Sequence, residues 1–241
     1  AKIVRQAVGN PQVGVSTATY RPKPDLSQDQ HIEGLPLGTI GGLVTKHYFP
    51  LDGEYVFEPK LSRSVNGVAV GLEHPRALEV TLDGARVSLV QFGGLDDDSA
   101  SHRNGKEAAD LIDDRLVFRM KVSAGTHTVG VAFLRQSEAQ SAEVWKQFVR
   151  TTLDSNETKG APHLDKIVIA GPFNASGPGD TPSRRAIFIC QPAGEKDELP
   201  CARRILSNLA RKAYRRPVTA ADMETLLNLY QDRRRKQGSF E

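Results

Sequence analysis

Between positions 51 and 135, apolar and polar residues alternate with a period of two in one run after another. In DGEYVFEPKL, Tyr55, Phe57, Pro59 and Leu61 alternate with Glu54, Val56, Glu58 and Lys60. In LEVTLDGARV, Leu78, Val80 and Leu82 alternate with Glu79 and Thr81, and Asp83-Gly84 supplies a tight turn. LVFRMKV sets Leu116, Phe118, Met120 and Val122 against Val117, Arg119 and Lys121. Ala124-Gly125 then leads into THTVGVAFL, where Val129, Val131 and Phe133 share one face. Successive side chains of a strand point to opposite faces, so this pattern describes half-buried strands. Asp-Gly between two such runs is a hairpin signal. KIVIAGPF adds a short late strand near Ile167–Phe173. No helix-period segment is read between the core strands, which favours an antiparallel sandwich over a parallel sheet.

The rest of the chain reads differently. Residues 1–50 show no clear period: PKPDLSQDQ is polar and punctuated by proline, and GLPLGTIGGL is rich in glycine. Extended segments and loops are expected there, with one short helix near Lys2–Val8. QSEAQSAEVWKQFVR, residues 136–150, is either a short helix or a long loop. SGPGDTPS breaks the chain at 176–183. Beyond it, Ile205, Leu209 and Ala213 lie beside Leu206, Ala210 and Tyr214 on i, i+4 rows of an amphipathic helix starting at Cys201. Pro217 stops that helix. Thr219 caps a second one, with Asp222 where a capping-box acid belongs and Met223, Leu226, Leu227 and Tyr230 as its apolar face. The expected organisation is an extended N-terminal segment (1–30), a β-sandwich domain (31–175) and a helical domain (183–241). The chain ends on QGSFE without a helix stop, so the helical domain is expected to be truncated.

Composition narrows the setting. No run approaches the 18 apolar residues that a transmembrane helix requires, and AKIVRQAVGNPQ has no signal-peptide core. Export therefore needs a signal outside this sequence. The net charge of +3 is unevenly spread. From Arg203 to Lys236, ten basic residues stand against three acids, a net of +7, which leaves −4 for the remainder. The arginines cluster where helices end, and cations complement a helix dipole there. Arg233, Arg234, Arg235 and Lys236 are the candidate partner-binding group, since a basic tail suits an acidic protein, an anionic membrane face or nucleic acid. Nucleic acid is disfavoured because no aromatic residue interleaves with these four.

Chemistry-bearing motifs are sparse. Cys190 and Cys201 are separated by ten residues, in neither a C-x-x-C-H haem tether nor a C-x-x-C redox pair. No His lies beyond His163 to complete a zinc site. The two cysteines are left as a disulfide across the polar AGEKDELP loop or as buried thiols. Asp96, Asp97 and Asp98, with Asp110, Asp113 and Asp114 further on, could supply hard oxygen ligands to Ca²⁺, although their spacing is not that of an EF-hand. The six histidines are scattered, and none stands at a known catalytic spacing from a Ser, Cys or carboxylate. His127 is read as a strand residue at the sheet face. Neither phosphate-binding glycine motif is present. Trp145 and Tyr48 are the aromatic candidates for stacking on a sugar.

Two blocks carry a resemblance. DGEYVFEPKL, LEVTLDGARV and VSAGTHTVGVAFL together resemble the jelly-roll sandwich of carbohydrate-binding modules, above all the calcium-dependent, xylan-binding type. The block IFICQPAGEKDELPCARRILSNLARKAYRRPVTAADMETLLNLY, with HIEGLPLGTIGGLVTKHYFPLDGEYVF at 31–57, is similar to large exported planctomycete-type proteins. Those combine a cytochrome c module with several domains of unknown function. The resemblance implies a mainly β fold, an antiparallel jelly-roll β-sandwich followed by a small α-helical segment. It also implies a periplasmic or cell-surface location, peripheral to a membrane. The two cysteines match that family's pair around the polar loop, which implies a Cys190–Cys201 disulfide. No covalently bound cofactor is expected. The expected role is a non-catalytic scaffold or docking subunit whose protein partner sits in a larger extracytoplasmic or membrane-associated complex, including a cytochrome-bearing respiratory or photosynthetic one. The alternatives are a calcium-dependent polysaccharide-binding module and a fragment of an exported redox enzyme.

Overall fold

A computed structural model describes residues 2–23, 28–135, 158, 160–236, 238 and 240. The chain forms two compact units, one of Gln12–Gly177 and one of Ala1–Pro11 with Pro178–Glu241. The stretch expected as one N-terminal segment (1–30) is thus divided between them.

The larger unit holds eight strands: β1 (Ser16–Tyr20), β2 (Thr39–Phe49), β3 (Asp52–Leu61), β4 (Arg76–Leu82), β5 (Ala85–Phe92), β6 (Phe118–Val122), β7 (Gly125–Leu134) and β8 (Leu164–Gly177). They pair antiparallel in two four-stranded sheets, ordered β1-β8-β3-β6 and β2-β7-β4-β5. The chain crosses between the sheets at every step from β1 to β4 and from β5 to β8, with β4 and β5 a hairpin within one sheet, and so closes into a jelly roll. The mainly β sandwich with a small helical segment is therefore the fold of this chain.

The alternation read from the sequence explains the core. Tyr55, Phe57 and Leu61 of β3, with Ile167 and Ile169 of the neighbouring β8, share one core with Val129, Val131 and Phe133 of β7 and Leu78 and Val80 of β4 in the other sheet. Phe57 stacks on Phe118, with ring centroids 5.0 Å apart. Burying a side chain of this size contributes about 1.5–3 kcal/mol. Asp83 and Gly84 both take positive φ (51° and 82°), which gives the two-residue hairpin the twist its strands need. The late strand expected near Ile167–Phe173 runs further, through Leu164–Gly177, and pairs with both β1 and β3.

Three elements run against the sequence reading. Residues 34–38 of the glycine-rich stretch are turn as expected, but its second half, from Thr39 to Leu43, opens strand β2. A bulge between Ile40 and Leu43 breaks its period, with Gly41 and Gly42 at φ 60° and 85°. A Cβ on Gly42 would lie 1.9 Å from the Val131 carbonyl oxygen, so only glycine fits there. Two helices also interrupt the strands: α2 (Leu95–Arg103) and α3 (Gly105–Leu116). Their signal was present. Asn104 caps α3 by accepting from the Glu107 amide, and Ala108, Ile112 and Leu116 form a buried i, i+4 row.

Asp113 of α3 is 2% exposed. It accepts from the Leu61 amide at 3.1 Å and from Arg63 at 2.6 Å, while Arg63 also reaches Asp110 at 2.6 Å. These contacts fix α3 to the end of β3. Asp113→Asn keeps the volume but removes the charge that Arg63 faces. The expected loss is about 2 kcal/mol, read by urea unfolding.

The smaller unit contains α1 (Lys2–Val8), α4 (Pro182–Ile187), α5 (Glu195–Tyr214) and α6 (Ala220–Arg235). Arg184 of α4 donates to the Val8 carbonyl of α1. Helix α5 begins at Glu195, not at Cys201 as the periodicity suggested. Most of the supposed polar loop is its first two turns, with Glu195, Asp197 and Glu198 suited to the positive end of the helix.

Candidate functional site

At one end of the sandwich the structure brings Asp83 against Ser123 and His127, some forty positions further along the chain. Asp83 comes from the β4–β5 turn, Ser123 from the β6–β7 turn and His127 from β7. Nδ1 of His127 lies 2.6 Å from Asp83 Oδ2, and Nε2 lies 3.4 Å from Ser123 Oγ. The residue types are those of a hydrolytic triad, which no sequence spacing had revealed. The geometry favours a clamp instead. The same Nε2 is 3.1 Å from the Ser123 carbonyl oxygen. A lone pair on Nε2 would face that oxygen, whereas an N–H there donates to it. With its N–H on Nε2 the ring donates to that carbonyl, which leaves Nε2 no lone pair to take a proton from Ser123. The Ala124 amide, next to Ser123, donates to Asp52 Oδ1 at 2.6 Å rather than pointing at a substrate position. Burial pulls the Asp83 carboxyl upward, but the His127 and Thr128 hydrogen bonds outweigh it and hold the group below its ordinary value.

His127 is paired in register with His47 on β2. Phe49 packs edge-on to both rings, with centroids 4.4 Å from His47 and 5.6 Å from His127. Tyr20 of β1 donates to His47 Nδ1 at 2.8 Å. Burial pushes His47 below its ordinary value and Tyr20 above its own, so both are neutral at pH 7. This cluster links the two sheets at that end through rings and hydrogen bonds.

The residues expected to carry function lie elsewhere. Asp96, Asp97 and Asp98 form the first turn of α2, not a loop. Asp97 accepts from the Gly93 amide and from Arg115, each at 2.6 Å. Among the described residues, no three His, Cys, Asp or Glu side chains gather in a group that could hold a metal ion. Tyr48 lies on β2, half-buried, and its hydroxyl is pushed up by burial. Trp145 falls outside the described residues.

The helical unit has the strongest local electrostatics. Cys190 and Cys201 are joined by a disulfide that ties the chain before α5 to that helix. Glu198 of α5 accepts from Arg234 Nε at 2.5 Å, Arg234 Nη2 at 2.7 Å and the Tyr230 hydroxyl at 2.5 Å, all on α6. Burial, and then the Glu198 bond, push Tyr230 up to about 12. Arg234 thus faces inward, while Arg235 and Lys236 lie 3.9 Å and 2.9 Å from Asp232. Much of the expected basic tail is therefore spent within the unit. Asp222 closes the capping box with Thr219 and takes a two-pronged bond from Arg216 at 2.8 and 3.0 Å. Arg216, and then Thr219, hold its carboxyl far below the ordinary value of 3.8. A depressed carboxyl stabilises the fold above its unfolded pKa and loses that effect as pH falls. Helix α6 is expected to fray below about pH 4, and Asp222→Asn to abolish that acid-dependent step. Far-UV circular dichroism from pH 6 to pH 2 reads both.

Residues 201–241, which take in most of α5 and all of α6, match a family described as a protein of unknown function, DUF1595 (PSD5). No curated protein is detectably similar to the chain. Among solved structures, a family 35 carbohydrate-binding module from Clostridium thermocellum aligns at 10% identity and a TM-score of 0.31. It covers 64% of this chain and 90% of its own. The family 35 module from Paenibacillus barcinonensis aligns at 10% identity and a TM-score of 0.27, covering 67% and 95%. A β-glucosidase from Paenibacillus barengoltzii aligns at 9% identity and a TM-score of 0.28, over 54% of this chain. The chain spans a tenth of that enzyme, 10% of its length.

Proposed function

We propose that this chain is a non-catalytic docking subunit of a larger extracytoplasmic assembly. One observation carries the reading. The helical unit is locked internally by a disulfide and by the Glu198–Arg234–Tyr230 bonds, yet Arg203, Arg204, Arg211 and Lys212 of α5 are exposed and make no ion pair with any described residue. A small rigid module with unspent charge is suited to holding another molecule in register.

The Asp83–His127–Ser123 arrangement supports the non-catalytic side of the reading, because its hydrogen bonds are those of a clamp. The disulfide is consistent with an extracytoplasmic location, where such bonds persist. No described helix is long and apolar enough to cross a membrane. A membrane-associated electron-transfer complex is the first partner to test, given the resemblance of the 187–230 block. Quantitative crosslinking of the full chain in gently solubilised source membranes tests the proposal. Crosslinks to one protein partner in a reproducible pattern support it. Recovery of the chain alone, or with wall polysaccharide, overturns it.

A further inference from the structure

Seven consecutive residues where α5 turns into α6, residues 211–217, are all exposed. The first four still belong to α5, so every direction around its last turn is open. Lys212 shows this best. At about 100° per residue it continues the line of the buried Cys201 and Ile205, yet it is exposed. The helix end therefore protrudes as a tip, clear of the residues that cover its earlier turns. The tip carries Arg211, Lys212, Arg215 and Arg216 and no acid. Arg216 is spent on Asp222, at 2.8 and 3.0 Å. Arg211, Lys212 and Arg215 make no ion pair with any described residue. Tyr214 stands among them, 45% exposed, with the Arg216 guanidinium 5.2 Å from its ring centre. Charge is also divided between the two units. Residues 1–11 and 178–241 carry fifteen basic residues against eight acids, a net of +7, whereas residues 12–177 carry seventeen against twenty-one, a net of −4.

We propose that this tip docks on an anionic bilayer surface, a step that goes beyond the protein-docking reading and does not rest on it. Cations pointing all round a helix end do not line up for a ligand lying along the helix. They do all meet a plane that the helix approaches end-on. Lipid phosphates supply such a plane and require no register between charges. The same geometry disfavours an acidic helix, whose carboxylates fall in a row at i, i+4 spacing. Tyr214 suits the boundary, because its ring is apolar and its hydroxyl stays among the headgroups. The stems of Arg211, Lys212 and Arg215 bury their methylenes beside it while their charges reach the phosphates. A single ring, with Arg216 on one face, offers no series of plates for the bases of a nucleic acid. The same surface repels the net −4 of residues 12–177, which orients the chain with the helical unit toward the lipid.

The test is co-sedimentation of the full disulfide-bonded chain with phosphatidylcholine vesicles containing about a third phosphatidylglycerol. A cation held near such a surface strengthens binding about fivefold. Lys212→Gln/Arg215→Gln is therefore expected to weaken partition about twenty-fivefold, and Tyr214→Ser about threefold. Arg233→Gln/Arg235→Gln, an equal loss of charge on α6, is expected to stay within about threefold of the parent. Vesicles of phosphatidylcholine alone, or about 1 M NaCl, should release the parent chain. Circular dichroism at 222 nm checks that each variant keeps its helices, and where one does not, the salt and lipid results on the parent decide. Equal loss in the two double variants, binding indifferent to salt or to phosphatidylglycerol, or tighter binding to an oligodeoxynucleotide or to polyglutamate overturns the inference. The vesicles hold no protein, so this result stands apart from the crosslinking experiment. A chain that binds them but crosslinks to no partner keeps the lipid-binding tip and loses the docking reading, and a chain that crosslinks but ignores the vesicles does the reverse.

Discussion

Replacing Gln28 with Leu is expected to destabilise the sandwich by about 3–5 kcal/mol, the largest single-residue effect in the larger unit. Gln28 is 4% exposed and belongs to no strand. Its side-chain amide nevertheless joins the two sheets. Oε1 accepts from the Gly42 amide of β2 at 3.1 Å and from the Leu164 amide of β8 at 2.8 Å. Nε2 donates to the Leu164 carbonyl at 2.9 Å. Leucine nearly preserves the volume but leaves three buried backbone groups without a partner, at about 1–3 kcal/mol each. Water entry would recover part of this, which is why the figure lies below the simple sum. The glycine bulge of β2 exists to admit this residue: a Cβ on Gly41 would lie 2.5 Å from the Gln28 carbonyl oxygen. Urea unfolding of the variant should show a lower midpoint at unchanged slope. A loss under about 1 kcal/mol would mean that the amide does not bridge the sheets.

Removing the Cys190–Cys201 disulfide is expected to cost the helical unit about 3 kcal/mol through the entropy of the opened loop. The unit has little else to rely on. The buried residues of its two long helices are Cys201, Ala202, Ile205, Ala210, Met223 and Leu227. Cores of this size supply only a few kcal/mol. Cys190→Ser/Cys201→Ser should therefore lose helical signal at 222 nm well before the sandwich unfolds. Reductant should do the same to the parent chain and nothing to the variant. Coincident unfolding of helices and strands, with no response to reductant, would contradict this account.

The strands that hold one buried face were legible because their alternation is local. So were the Asp83-Gly84 hairpin and the Thr219–Asp222 capping box, each specified by residues a few positions apart. Strand β2 was obscured by the Gly41-Gly42 bulge, which shifts the period midway. Helices α2 and α3 were hidden under an aspartate run read for its charge, although Asn104 and Glu107 spelled a helix start. The bridging role of Gln28 and the Asp83–Ser123–His127 cluster could not be read at all. Each depends on a contact between distant segments, His127 to Asp83 across 44 positions and Gln28 to Leu164 across 136, and only the closed jelly roll brings them together. The basic tail was legible as composition, but its division into spent and unspent charge required the ion pairs of Glu198 and Asp232.

The docking claim is tested most directly by native mass spectrometry of the chain from gently solubilised source membranes, with the parent and an Arg204→Glu/Arg211→Glu variant measured side by side. The account predicts that the parent is released in a fixed ratio with one protein partner, and that the variant is depleted from that complex while keeping its fold. A parent chain that appears alone, or in no fixed ratio with any protein, would contradict it.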